Sequence, residues 1–244
     1  MQTEVAGMVE RFKAEAGKAG ALVYETSSAE DACNYILKLA QEYDVKSAVK
    51  SKSKLADEIK LRKHLESRGI DVKETDLREW MAQLVGRKPA ERITMAQLGK
   101  LMSKATGEKL DSEPRALLNA ASRAIRQYCI DADMGISEAD LAIAETGTLV
   151  IAGNEGVTRL VAVLPRIHIT LVNYRNVVEL LEDVYGRLKS PKRDGSVKLV
   201  PGYVTYITGR NTTADIPGAV LARAQGPSEE HIVLVRRTSR RNVA

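Results

Sequence analysis

Short apolar runs alternate with helical patterns in the first third of the chain, and this alternation limits the fold more than any other feature. Apolar runs at 21–24, 45–49 and 70–73 are each followed by a segment whose apolar residues recur at helical spacing. The three helical segments cover about 27–43, 54–68 and 76–85. Strands that alternate with helices pair in parallel, because each helix returns the chain to the same edge of the sheet. We therefore predict an α/β fold, a layered and mostly parallel sheet with flanking helices.

The rest of the chain adds further helices and a β-rich half. Residues 1–20 place Val5, Met8, Val9 and Phe12 on one helical face, which predicts a helical extension that caps the body or exchanges onto a partner. Helices are also predicted at 93–106, from Asp111 or Ser112 onward, and at 176–185. Further strands are predicted at 141–144, 148–152, 160–164, 167–172, 203–207, 219–222 and 232–235, with a surface loop at 189–198.

The composition, 44% apolar and 28% charged residues, is ordinary for a globular chain. No run approaches the roughly 18 consecutive apolar residues of a membrane helix. The N-terminus contains Glu4, Glu10 and Glu15 and lacks the basic-then-apolar order of a signal peptide. We therefore expect a cytoplasmic chain with no membrane span.

The formal net charge of +5 is partly concentrated near the C-terminal end. Arg236, Arg237, Arg240 and Arg241 lie close together, and such a run is usually solvated. No recognition-helix pattern, zinc knuckle or aromatic-interleaved basic strand accompanies them. We therefore expect 237–244 to be a basic tail, and we do not expect nucleic-acid binding.

The sequence lacks the common metal and cofactor motifs. Cys33 and Cys129 lie far apart, each within a helical pattern, which predicts free buried thiols rather than a disulfide. An iron–sulfur cluster normally takes four cysteine thiolates. His64, His168 and His231 are scattered and each has a structural interpretation, either as an exposed helix position or as the edge of an apolar strand. We therefore expect no metal or cofactor in this chain.

Three loops contain candidate ligand-binding residues. The first, with Lys50 and Lys52, leaves the carboxyl end of a predicted strand, where open α/β sheets bind ligands. The two lysines could hold a phosphate or carboxylate, or the loop could be a solvated turn in which Ser53 caps the next helix. The other two loops follow predicted strands in the β-rich half.

The second loop region combines two tight turns. It offers Glu145 or Glu155 as a buried nucleophile or base with Arg159 as partner, although turn chemistry and an internal ion pair would explain the same residues. The third loop could form an anion cradle, or Asp215 could simply cap the next segment. The further ligand-binding candidates in these two loops are Thr146, Gly147, Thr148, Asn154, Gly156, Thr208, Gly209, Arg210 and Asp215.

These loops resemble those of a known family, the lactate-utilisation (LUD) domain proteins. The stretch GISEADLAIAETGTLVIAGNEGVTRLVAVLPRIHITLV, residues 135–172, looks like the central signature of that family. Residues 49–53 and 74–77 are similar to the LUD region of the B component of a bacterial L-lactate oxidation system. Residues 208–216 with Gly226, Pro227 and His231 are more similar to its C component, although Arg210 stands where that family has another residue.

The resemblance implies a fold like that of sugar-phosphate isomerases and coenzyme A transferases. It divides the chain into a helical extension (1–20), a LUD domain (21–236) and the basic tail (237–244). It also implies an accessory subunit of an L-lactate-oxidising system, with iron–sulfur clusters only in partner subunits, because the cysteine-rich segment of the B component has no counterpart here. The sequence leaves open whether the chain forms a homodimer. The alternative is an independent coenzyme A transferase-like or sugar-phosphate isomerase-like enzyme that uses Glu145 or Glu155.

Overall fold

The computed structural model describes residues 2–86, 93–154, 156–189, 201–210, 212–216, 219–222 and 226–236, with only the backbone described at 2–3, 212–216 and 219–222. Within these ranges the helices are α1 (Gln2–Lys18), α2 (Ala29–Glu42), α3 (Lys54–Glu58), α4 (Leu61–Glu66), α5 (Leu77–Val85), α6 (Met95–Thr106), α7 (Pro114–Asp131), α8 (Val157–Val163) and α9 (Asp183–Lys189). The strands are β1 (Leu22–Thr26), β2 (Ser47–Lys50), β3 (Asp71–Glu74), β4 (Met134–Ala139), β5 (Leu141–Ile143), β6 (Thr148–Gly153), β7 (Ile167–Asn173), β8 (Val177–Val178), β9 (Tyr203–Thr208), β10 (Thr212–Ile216), β11 (Ala219–Ala222) and β12 (Glu229–Val235).

Six strands form a central sheet in the order β1-β12-β7-β4-β2-β3, and every neighbouring pair in it is parallel. One face packs against α2, α3 and α4 through alternate residues such as Ile136, Ile169 and Val233. The opposite face packs against α1, α7, α8 and a second sheet. The predicted α/β fold with a parallel sheet and flanking helices is confirmed.

The second sheet has the order β8-β5-β6-β9, and β10 pairs with β11 in a separate hairpin. We expected the strands at 203–207, 219–222 and 232–235 to close a single sheet, and this is wrong for the first two. β9 pairs antiparallel with β6, and only β12 enters the central sheet. Pairing is decided by partners distant in sequence, which a local pattern does not show.

The strand predicted at 160–164 is helical, because this segment belongs to α8. Its apolar run with two valines resembles a strand, but Val157, Leu160 and Val161 also recur at helical spacing. The sequence prediction also missed β4, which is central in the sheet. Gly135 within β4 is required there, since a Cβ at this position would lie 2.0 Å from the Val161 carbonyl oxygen of α8.

Two predicted helices have different bounds. The segment at 54–68 is divided into α3 and α4 at Lys60, whose φ of 57° is left-handed and interrupts the helix. The helix predicted at 176–185 begins only at Asp183, because a 3-10 turn (Tyr174–Asn176) and β8 precede it. Most of the loop predicted at 189–198, and the basic tail at 237–244, lie outside the described residues.

Helix α1 packs on its own chain. Val9, Phe12 and Ala16 are fully buried in a cluster with Leu149, Ile232 and other apolar residues. The apolar face predicted from the sequence is thus covered within one molecule. Among the described residues, no helix is long and apolar enough to cross a membrane.

Candidate functional site

The carboxyl ends of β2, β3 and β4 meet at one edge of the central sheet. The Thr75 amide donates to the Lys50 carbonyl at 2.9 Å, and the Ser51 amide donates to the Ile136 carbonyl at 2.9 Å. These bonds continue the strand pairing one residue past β2 and β3. We use the name β2–β4 crevice for residues 51–53 together with the end of β4, where the predicted loop with Lys50 and Lys52 lies.

Lys50 is buried and its charge is already balanced. Its Nζ lies 3.0 Å from Glu74 Oε2 and 3.6 Å from Asp57 Oδ1, and the Lys50 and Glu74 side chains are only 2% and 4% exposed. Arg62 Nε lies 3.4 Å from the other Glu74 carboxylate oxygen. Burial raises the pKa of Glu74, and the neighbouring Lys50 opposes that shift. Lys50 therefore forms an internal ion pair, whereas an anion-binding lysine needs a free charge.

Among the other crevice residues, Lys52 is exposed, whereas Ser51 and Ser53 are buried. Lys52 Nζ lies 3.9 Å from Asp76 Oδ2. Ser53 caps α3, as one interpretation of this loop predicted, and its Oγ also donates to Glu138 Oε2 at 2.8 Å. Ser51 is 1% exposed, and its Oγ has no hydrogen-bond partner among the described residues. Sequence reasoning missed Ser51 and Glu138 as site residues. Ser51 follows the predicted strand at 45–49, whereas Glu138 lies in β4, which was not predicted.

The second and third predicted loops meet through a row of threonines. Thr146 Oγ1 donates to Thr148 Oγ1 at 2.7 Å, and Thr148 Oγ1 lies 2.8 Å from Thr208 Oγ1. Glu145 beside them is exposed, and no ion pair joins it to Arg159 within the described part of the chain. Within the described residues, Glu145 therefore has neither the burial nor the Arg159 partner that we expected of a nucleophile or base.

Helix α1 fills the space that the two loops would offer to a ligand. A Cβ at Gly147 would lie 2.1 Å from the Ala16 amide nitrogen, and one at Gly209 would lie 1.9 Å from the Ala19 carbonyl oxygen. The Arg210 side chain lies against Gly20 at the end of the same helix. Of Asp215 only the backbone, in β10, is described. These loops hold the end of α1 in this structure.

Asn154 and Gly156 lie between β6 and α8. Asn154 Oδ1 accepts a hydrogen bond from the Gly202 amide at 2.8 Å, and Gly156 precedes the first residue of α8. The Arg159 guanidinium lies 6.0 Å from the centre of the Tyr203 ring. Glu155 lies outside the described residues. The hydrogen bond from Gly202 therefore links the residues that precede α8 to the start of β9.

A buried polar cluster crosses the central sheet, and sequence reasoning did not find it. Ser137 Oγ lies 2.8 Å from His168 Nε2, and His168 Nδ1 lies 2.7 Å from Glu230 Oε2. Thr170 Oγ1 donates to Glu230 Oε1 at 3.1 Å. All four residues are at most 1% exposed. The available signal was a polar residue at alternate positions of otherwise apolar strands.

His231 is buried on the opposite face of the sheet. Its Nδ1 lies 3.2 Å from the Tyr35 hydroxyl, its Nε2 has no partner among the described residues, and Tyr43 contacts the ring edge-on. Burial lowers the pKa of His231 from 6.5 to about 4. The native chain therefore holds this imidazole neutral at physiological pH.

We expect acid to destabilise the protein partly through His231. The unfolded chain takes up the proton near pH 6.5 and the native chain only near pH 4, so stability is fully present above pH 6.5 and is lost as the pH falls toward 4. This pKa difference corresponds to about 3 kcal/mol of unfolding free energy. Urea denaturation between pH 4 and 7.5 measures the loss. His231→Gln should flatten this pH dependence, and an equal slope in both proteins would contradict the assignment.

In the part of the chain that the structure describes, no group of three His, Cys, Asp or Glu residues is placed to hold a metal ion. The polar clusters described above therefore consist of hydrogen bonds and ion pairs between side chains. Cys33 and Cys129 are free and buried, as predicted.

Comparison with known proteins adds to this geometry. The chain is 32% identical over 225 residues to lactate utilization protein B of Geobacillus thermodenitrificans (strain NG80-2), which covers 89% of this chain and 46% of that protein. The same protein of Bacillus subtilis (strain 168) is also 32% identical over 225 residues, covering 89% of this chain and 45% of its own length. The Uncharacterized electron transport protein YkgF of Escherichia coli (strain K12) is 30% identical over 222 residues, covering 88% and 45%. The chain spans about half the length of these curated relatives.

A solved structure has the same fold. It is the crystal structure of a DUF162 family protein from Deinococcus radiodurans, which is 15% identical, aligns over 95% of this chain and 98% of its own, and superposes with a TM-score of 0.50. The model of the LUD domain family matches residues 9–235. This match covers nearly the whole chain and includes the β2–β4 crevice and the buried polar cluster. The chain belongs to the LUD domain family.

Proposed function

We propose that this chain is a LUD-domain accessory subunit of an L-lactate-oxidising iron–sulfur system that converts lactate into pyruvate. The observation that carries the proposal is the 225-residue alignment with lactate utilization protein B. In this proposal the iron–sulfur clusters belong to partner subunits, and this chain does not itself transfer electrons. Its contribution is to bind those subunits and an anionic ligand.

The two cysteines support the non-redox part of the proposal. Burial raises the pKa of Cys33 to about 11 and that of Cys129 to about 12. Both side chains are therefore protonated thiols at physiological pH, whereas clusters are held by thiolates. The sequence contains no other cysteine.

The β2–β4 crevice supports a ligand role through Lys52. Lys52 is 66% exposed and its contact with Asp76 is long, at 3.9 Å, whereas the ammonium of Lys50 is buried 3.0 Å from Glu74. An anion that approaches the crevice would therefore meet Lys52 first. We place the anionic ligand at Lys52 and assign Lys50 to the structural support of the crevice.

We expect an anaerobic affinity purification of the tagged chain from lactate-grown host cells to recover cysteine-rich iron–sulfur subunits. The recovered complex should reduce a dye when lactate is added. Removing this chain from a complex reassembled from separate subunits should abolish most of the activity, because the proposal makes it a required component. Mass spectrometry and the dye assay measure both results.

Lys52→Ala tests the proposed anion site. Because Lys52 is exposed, this substitution should leave the fold intact. Ligand stabilisation of the chain, measured as a thermal shift with lactate, pyruvate and inorganic phosphate, should be lost in this variant. Recovery of an inactive homo-oligomer without iron–sulfur subunits would contradict the accessory role. A thermal shift with coenzyme A esters alone would favour the alternative enzyme.

A further inference from the structure

The buried polar cluster has a defined order across three strands. In the strand pairing, His168 of β7 lies beside Gly135 of β4 and Glu230 of β12, and Ser137 lies beside Thr170. Because side chains alternate between the two faces of a sheet, these polar residues share the face that α8 packs against. The hydrogen-bond chain runs from Ser137 through His168 to Glu230.

The hydrogen-bond distances allow an arrangement of protons that suits a nucleophile. Thr170 donates to Oε1 of Glu230, so the carboxylate acts as an acceptor there. In the tautomer in which His168 Nδ1 donates to Glu230 Oε2, the imidazole presents a lone pair at Nε2. The Ser137 hydroxyl donates to that lone pair across 2.8 Å. A serine whose proton points at an imidazole that a carboxylate orients is the arrangement of an activated nucleophile.

We propose that Ser137, His168 and Glu230 form an acyl-transfer centre for a short-chain acyl ester or thioester. Ser137 Oγ attacks the carbonyl carbon, and its proton passes to His168 Nε2. The alcohol or thiol leaves with that proton as its bond to the acyl group breaks. Water, deprotonated by His168, then releases the carboxylic acid and restores Ser137. Glu230 is the positioning residue that holds the His168 tautomer.

Ser51 supplies a second group at this centre. Its amide bonds to the Ile136 carbonyl, so its side chain lies next to Ser137 in the strand order. Its Oγ is buried and has no partner among the described residues, which is a costly state for a hydroxyl. Such a free donor stabilises the negative oxygen that forms on the attacked carbonyl.

Helix α8 covers the centre, and we assign it the role of a lid. It contacts both β4 and β7, and the Val161 carbonyl reaches the strand at Gly135. It has only seven residues, no side chain caps its N-terminus, and Val163 and Leu164 at its end are exposed. Short lids of this kind exclude water when closed and admit substrate when open.

The test uses the purified full chain and phenylmethanesulfonyl fluoride, a small reagent that sulfonylates activated serines. We expect one adduct per chain by intact mass, with peptide mapping placing it on Ser137. His168→Gln should slow the labelling at least about 100-fold, because it removes the general base. The chain should also hydrolyse 4-nitrophenyl acetate, and Ser137→Ala should remove that activity.

Two further variants distinguish an acyl-transfer centre from a polar cluster that only stabilises the fold. Ser122→Ala, which changes an exposed serine on α7, should label at the full rate. Ala162→Gly weakens α8 by about 1 kcal/mol and should raise the labelling rate about fivefold if α8 is the lid. The wild-type chain is tested over times at which amide exchange shows that α8 opens. If it then carries no adduct on Ser137, the proposal is overturned, even if Ser137→Ala fails to fold. Unchanged hydrolysis in a folded Ser137→Ala protein would overturn it as well.

Discussion

Gly209→Ala should lower the free energy of unfolding by about 3 kcal/mol, through backbone strain of about 1–2 kcal/mol and overpacking of a similar size. Gly209 has a φ of +65°, and the new Cβ would lie 1.9 Å from the Ala19 carbonyl oxygen. Main-chain atoms at the end of α1 cannot give way as a flexible side chain can. Urea denaturation followed by circular dichroism measures the change.

Gly147→Ala should have a comparable effect, since its Cβ would lie 2.1 Å from the Ala16 amide nitrogen at a φ of +66°. Gly69→Ala is the matched control. Gly69 has a φ of +83°, but no atom lies within 4 Å of its added Cβ, so it should lose only the backbone part, about 1 kcal/mol. Equal losses at all three glycines would show that α1 is not seated on the two loops as described.

Glu74→Gln should destabilise the fold by about 3 kcal/mol, because it leaves the ammonium of Lys50 buried without its main partner. The two charged atoms lie 3.0 Å apart and both side chains are almost completely buried. Asp57 at 3.6 Å is half exposed and compensates only in part. The unfolding free energy from urea denaturation is again the measurement.

Replacing both partners tests the same interpretation. The double variant Lys50→Met with Glu74→Leu should recover most of the loss, since a buried pair exchanged for apolar residues is often neutral. Lys73→Ala serves as a surface control, because Lys73 and Asp71 form an exposed pair at 2.9 Å and should contribute about 0.5 kcal/mol or less. A double variant as unstable as Glu74→Gln would contradict a purely electrostatic cause.

Several site features could be derived from the sequence because they depend on neighbours along the chain. Ser28, Ser53 and Asp76 cap their helices through bonds to amides three residues on. The candidate loops with Lys50 and Thr146 do follow or join strands. What the lysine and threonines contact was not derivable, since Glu74 and Thr208 belong to other elements.

The missed elements share one cause. Residues 134–139 contain Gly135, Ser137 and Glu138, which weaken a local strand signal, yet β4 is held by β2 on one side and β7 on the other. Residues 160–164 form an apolar run with two valines, yet 160–163 belong to a helix that packs on Gly135. In both segments tertiary contacts outweigh local propensity.

The sequence alone determined the βα alternation, the parallel sheet, the helix caps and the family resemblance, because each depends on the order and period of nearby residues. Only the tertiary structure decided that the end of α1 packs against the loops at Gly147 and Gly209 and that Lys50 forms an ion pair with Glu74. It also decided that Ser137, His168 and Glu230 come into contact. Those contacts join residues as distant in sequence as Ala19 and Gly209, and their geometry depends on strand order. Strand order is a property of the packed sheet and not of any single segment.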